Sequence, residues 1–140
     1  MRTALLCIAA VSFACGGSSE MTRQLSVGGT YATQVALLPA GNTCSGVSVQ
    51  NNPTVVAHTP GAETLSLTHA GTTYSGTITQ TGAFSVPATA VSGGAFTVSI
   101  AGQFTAMGLT ATAHVAQGQP PCGYDVSWTG TKSGNPNTFP

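Results

Sequence analysis

The chain has 140 residues, of which 41% are hydrophobic, 6% aromatic and only 4% charged, and its formal net charge is zero. Disordered chains combine few apolar residues with high charge, so this balance describes a folded protein. Three Lys/Arg residues cannot build the basic face that phosphates require, which excludes a nucleic-acid partner. Thr and Ser together supply 35 residues, a quarter of the chain, so the water-facing surface must be made of hydroxyls rather than charges.

Residues 1–14, MRTALLCIAAVSFA, have the form of a signal peptide. Arg2 is the basic start, and Ala4 to Ala14 is an apolar stretch that falls short of the roughly 20 residues needed to span a bilayer. Ser12 and Ala14 are the small residues expected before a cut at Cys15, which is followed by Gly16-Gly17-Ser18-Ser19-Glu20. This segment resembles a bacterial lipoprotein precursor, although Ser12 stands where the usual lipobox carries Leu. The resemblance implies acylation of Cys15 and a membrane partner reached through that anchor. Gly16 in place of Asp after the cysteine points to the outer membrane, facing the periplasm or cell surface. The alternative is ordinary secretion with a free Cys15.

Removal of Cys7 with the signal and acylation of Cys15 would leave Cys44 and Cys122, which can pair in an oxidising compartment. Metal binding is the rival use of these two thiols, but there is no C-x-x-C and no nearby histidine. Residues 15–27 are mostly small and polar and read as a flexible tether.

Residues 28–132 read as one all-β domain. Apolar residues alternate with polar ones, as in Phe96-Thr97-Val98-Ser99-Ile100, in Leu109 to Val115, and in Tyr124-Asp125-Val126-Ser127-Trp128. That period of two marks half-buried antiparallel strands. The expected strands are 30–38, 47–50, 54–59, 64–69, 73–79, 83–90, 95–104, 109–116 and 123–132. Turn signals separate them, among them Pro60-Gly61, Ala70-Gly71, Thr81-Gly82, Gly93-Gly94 and Met107-Gly108. Helix signals are missing after residue 14. Short successive hairpins predict an up-and-down meander of about 8–9 strands that protects its edges by closing into a small barrel. Residues 133–140, rich in Gly, Pro and Asn, read as a loose tail.

Gly29-Thr30-Tyr31 and Trp128-Thr129-Gly130-Thr131-Lys132 resemble the opening and closing motifs of the lipocalin-like, calycin-type barrels. Tyr31 stands where those proteins carry Trp, and Lys132 where they commonly carry Arg. The resemblance implies a barrel whose base is closed by the basic residue packed over the early aromatic. It carries no ligand with it.

Chemistry is scarce. Outside the tether the carboxylates are Glu63, in a turn, and Asp125, on the last strand, and nothing in their spacing brings them together. His58, His69 and His114 read as surface or barrel-rim residues. A turn near Gly61-Ala62 sets His58 opposite Leu65 and His69 opposite Thr54, so the two are not neighbours. A Ser-His-Asp set can be assembled on paper from His114 and Asp125, but no G-x-S-x-G supports it. No catalytic residues, metal or cofactor are therefore expected. Tyr74, Phe96, Tyr124 and Trp128 are the candidates to line a ligand site. The function expected is a monomeric, non-catalytic, lipid-anchored binding or interaction module, possessing either a cavity for a small apolar molecule or a filled barrel of purely structural use. A secreted hydrolase is the third reading.

Overall fold

A computed structural model describes residues 22–140. The signal segment 1–14, Cys15 and most of the expected tether lie outside the described residues.

Eight antiparallel strands form a meander that closes on itself as a barrel. In chain order they are β1 Gly29–Leu38, β2 Thr54–Ala57, β3 Thr64–His69, β4 Thr72–Ile78, β5 Ala83–Val91, β6 Phe96–Thr105, β7 Gly108–Gln117 and β8 Cys122–Lys132. Closure is made by an eight-pair ladder between β1 and β8, from Tyr31↔Lys132 to Leu38↔Asp125. The alternation expected from the sequence selects the two faces. Val98, Ile100 and Phe104 of β6 point inward, as do Leu109, Ala111 and Ala113 of β7 and Val126 and Trp128 of β8. Thr30, Thr68, Thr73, Thr110, Thr112, Thr129 and Thr131 point outward, and Thr68 and Thr73 bond to each other at 2.9 Å.

The turns follow from residues suited to positive φ. His69 pairs with Thr72 across a two-residue loop in which Ala70 has φ 47° and Gly71 φ 77°. Two consecutive left-handed residues make the turn whose twist matches a β-hairpin. Inside the barrel, Gly102 of β6 makes room for aromatic packing. A Cβ there would lie 2.8 Å from Phe84 and 2.3 Å from the Thr110 carbonyl. Phe84 and Phe104 rings sit 4.8 Å apart, and Phe104 and Tyr31 rings 5.6 Å apart.

Three expectations are corrected. Residues 47–50 form no strand, and 39–53 is instead one long connection between β1 and β2. Val49 packs against the core, so the period-two pattern there is satisfied by the connection lying on the barrel rather than by joining the sheet. The Val35 amide on that side of β1 donates to the Asn51 side chain at 2.8 Å in place of a ladder bond. Second, the folded unit begins before residue 28, because Leu25 and Val27 are wholly buried. Third, residues 133–140 are not loose. Ser26 and Thr138 pair as an antiparallel bridge, Asn137 is buried and Phe139 packs on the core. Both terminal segments thus pack together over one end of the barrel, with Leu25, Val27 and Phe139 against the core.

The closed end is held by a polar cluster. The single hydroxyl hydrogen of Tyr31 lies between the Val27 carbonyl at 2.7 Å and Asn137 Oδ1 at 2.8 Å. Lys132 Nζ donates to the same Oδ1 at 2.7 Å, and Asn137 Nδ2 donates to the Thr105 carbonyl at 2.7 Å. Lys132 Nζ also stands 5.8 Å from the centre of the Tyr31 ring, a cation–π distance. Burial pushes the Tyr31 phenol up to about 12, against a lowering by its bond to Asn137, and it holds Lys132 below the usual lysine value.

Candidate functional site

The other end of the barrel is open. There the strand alternation aims Val35 of β1, Tyr74 of β4, Val91 of β5, Phe96 and Val98 of β6, Val115 of β7, and Tyr124, Val126 and Trp128 of β8 toward a common space. The space is a cavity of 380 Å³. Small-molecule sites fall in the range of roughly 300–1,000 Å³ and are mostly apolar with a few placed polar groups. Ala113, a small residue opposite Val126 on the β7–β8 ladder, forms part of the cavity wall. All four residues singled out in the sequence, Tyr74, Phe96, Tyr124 and Trp128, are in the lining.

The connection 39–53 covers part of the mouth and contributes Ser48, Val49, Gln50 and Asn52 to the wall. It is fastened there by the Cys44–Cys122 disulfide, with Cα atoms 5.1 Å apart. Beside the bridge, the Thr43 amide donates to the Gly123 carbonyl at 2.8 Å, and the Gly123 amide donates to Thr43 Oγ1 at 2.9 Å. The expected cysteine pair thereby anchors the rim of the cavity to the start of β8.

His69 is a further lining residue. It is 9% exposed and faces inward at the end of β3, opposite Thr54 as the hairpin arithmetic requires. Its ring stacks on Trp128 with centroids 4.3 Å apart and planes 29° apart. Its Nδ1 lies 2.9 Å from Thr54 Oγ1, which lies 2.8 Å from Thr33 Oγ1. Burial lowers the His69 pKa, so the ring is neutral at pH 7. The rim or surface position expected for it is therefore corrected. The signal was present in the sequence: His69 continues the inward series Leu65, Leu67 at the same spacing of two, and both leucines are buried. Burial also raises the Tyr74 phenol, with Tyr124 adding to the effect against a hydrogen bond from Thr72.

The remaining ionisable residues of the described chain lie away from the cavity. Glu63 is exposed next to β3 at the closed end. His58 lies at that end too, its Nδ1 accepting from the Val27 amide at 3.4 Å and its Nε2 donating to the Ala62 carbonyl at 3.0 Å. His114 and Asp125 are cross-strand partners on the outer face, 2.6 Å apart and half-exposed. Ser99 is the β6 residue opposite His114, which puts Ser, His and Asp in one row across three strands. The imidazole, however, leans over Gly123 on β8 and bonds only to Asp125, turned away from β6. Among the described residues, no three His, Cys, Asp or Glu side chains converge as metal ligands would.

No family model, curated protein or solved structure matches the chain.

Proposed function

We propose that this protein is a non-catalytic carrier or receptor for a small apolar molecule, exported and held at a bacterial envelope membrane by a lipid on Cys15. The observation that carries the binding reading is the 380 Å³ cavity whose wall brings together Tyr74, Phe96, Tyr124 and Trp128. The outward, solvated setting of the His114–Asp125 pair supports the non-catalytic reading over the hydrolase one.

The anchor reading rests on the precursor-like segment that ends at Cys15. The course of the chain gives it a geometric sense. Leu25 and Val27 enter the closed end of the barrel, whereas the cavity opens at the opposite end, beside Leu38, His69 and Cys122. A lipid on Cys15 would place the membrane on the closed side and leave the mouth facing away from it.

The test is native mass spectrometry of the protein after mild extraction from membranes. A co-purifying small molecule that is lost when Tyr74 or Trp128 is replaced by Ala supports the reading. An empty protein that also fails to bind any apolar probe refutes it. The intact mass of the same sample reports the anchor, because absence of acyl groups on Cys15 removes that part of the proposal.

A further inference from the structure

The polar string at the cavity wall has a direction that can be worked out proton by proton. Thr33 Oγ1 has one hydrogen and two partners, the Tyr31 carbonyl at 3.2 Å, which can only accept, and Thr54 Oγ1 at 2.8 Å, which can accept or donate, so both contacts are hydrogen bonds only if that hydrogen goes to the carbonyl. Its 2.8 Å contact with Thr54 must then be one in which Thr33 accepts and Thr54 donates. The Thr54 hydrogen is thereby committed, so at the 2.9 Å contact with His69 Nδ1 the histidine is the donor. A neutral imidazole that carries its hydrogen on Nδ1 presents a bare lone pair at Nε2. Among the described residues no protein group bonds to that nitrogen, and no buried side-chain nitrogen or oxygen is left without a partner, so Nε2 is reached from the cavity that His69 lines. Trp128 stacked on the ring fixes its plane.

The charges of the molecule complete the picture. Lys132 sits at the closed end, Glu63 is exposed near that end, Asp125 points outward and Arg23 is exposed before Leu25. These are the charged residues among those described, and none of them lines the cavity. An anionic ligand would therefore be desolvated with no cation to meet it, which is strongly unfavourable. A purely hydrocarbon ligand would shield the Nε2 lone pair from water without giving it a partner.

We propose that the cavity selects a neutral apolar molecule bearing one hydrogen-bond donor, an alcohol in the simplest case, whose O–H is accepted by His69 Nε2. The selectivity rests on the ligand-binding reading above and narrows it to a chemical class. Thr33 and Thr54 act at one remove, as positioning residues that hold the imidazole in its acceptor tautomer.

The emission of Trp128, the only tryptophan in the chain, reads binding directly. The purified protein is titrated at pH 8 with three probes of matched chain length: 1-octanol, octyl methyl ether and octanoate. The ether keeps the oxygen and replaces the donor hydrogen by a methyl group, which by apolar surface alone would favour its binding, and the carboxylate adds charge. The expected result is binding of octanol at least tenfold tighter than of the ether, with octanoate weakest. The His69→Phe variant retains a ring against Trp128 and should bind octanol and ether equally. Thr54→Val should narrow the octanol preference without altering ether binding. Equal affinity of the native protein for octanol and ether, or a preference for octanoate, overturns the selectivity while leaving the binding reading intact. If none of the three changes Trp128 emission or releases heat in calorimetry, the binding reading itself fails. The comparison of probes on the native protein decides the matter even where a variant does not fold.

Discussion

Replacing both Cys44 and Cys122 by Ser should destabilise the barrel by an amount that loop entropy sets. The bridge closes 78 positions, enclosing everything from the rim connection through β7. In the unfolded chain such a link removes roughly 15 cal/mol/K of freedom, which is about 4.5 kcal/mol at room temperature and an upper figure. Native strain and residual unfolded structure reduce what is realised, so the expected loss is roughly 2–4.5 kcal/mol. For a domain of this size the upper figure corresponds to a fall in Tm of roughly 15–20 °C. Urea unfolding of the native and double-variant proteins measures it. The midpoint should drop, and the slope m should rise, because an unlinked chain exposes more surface on unfolding. A local effect should accompany the global one. The Val35 amide, which donates to Asn51 in the tethered connection, should exchange with solvent faster in the variant. A double variant whose unfolding free energy lies within about 1 kcal/mol of the native protein would refute the entropic account of the bridge.

Gly102→Ala should cost at least the roughly 1–3 kcal/mol typical of overpacking, because the new Cβ meets a carbonyl oxygen at 2.3 Å and not merely a mobile side chain. A thermal midpoint equal to the native one would show that β6 and β7 are not so tightly spaced. Asn137→Ala should lower stability by roughly 2–3 kcal/mol, since it strands the Thr105 carbonyl and the Lys132 ammonium, and chemical denaturation measures it. Stability should also fall toward both pH extremes. The His69 pKa is lowered by folding, so its contribution is intact above about pH 6.5 and declines as pH falls below that value through the folded pKa. The Tyr31 pKa is raised to about 12, so its contribution is intact below about pH 10 and is lost between about pH 10 and 12, worth about 2–3 kcal/mol. Denaturation midpoints measured across pH should show the acid slope flattened in His69→Phe and the alkaline slope flattened in Tyr31→Phe.

Composition and period two were enough to determine the barrel class of this protein. Alternation such as Phe96 to Phe104 and Leu109 to Val115 states which side chains are buried, and short Gly-containing turns state that successive strands are neighbours. Local rules of this kind also placed Thr54 opposite His69, because the register of a hairpin is counted from its turn. They failed for Val47 to Gln50, where the same alternation belongs to a segment lying across the mouth, and for Leu25 and Val27, where flanking Gly and Ser suggested a tether. Whether such a segment finds a free strand edge or an open barrel end depends on contacts more than 80 residues away, like the Ser26–Thr138 bridge. The cavity was decided in the same way. Aromatic residues could be nominated one by one, but only closure of β1 onto β8 brings Tyr74, Phe96, Tyr124 and Trp128 around one space. The Thr33–Thr54–His69 string likewise exists only once three strands are in register, because its members come from β1, β2 and β3.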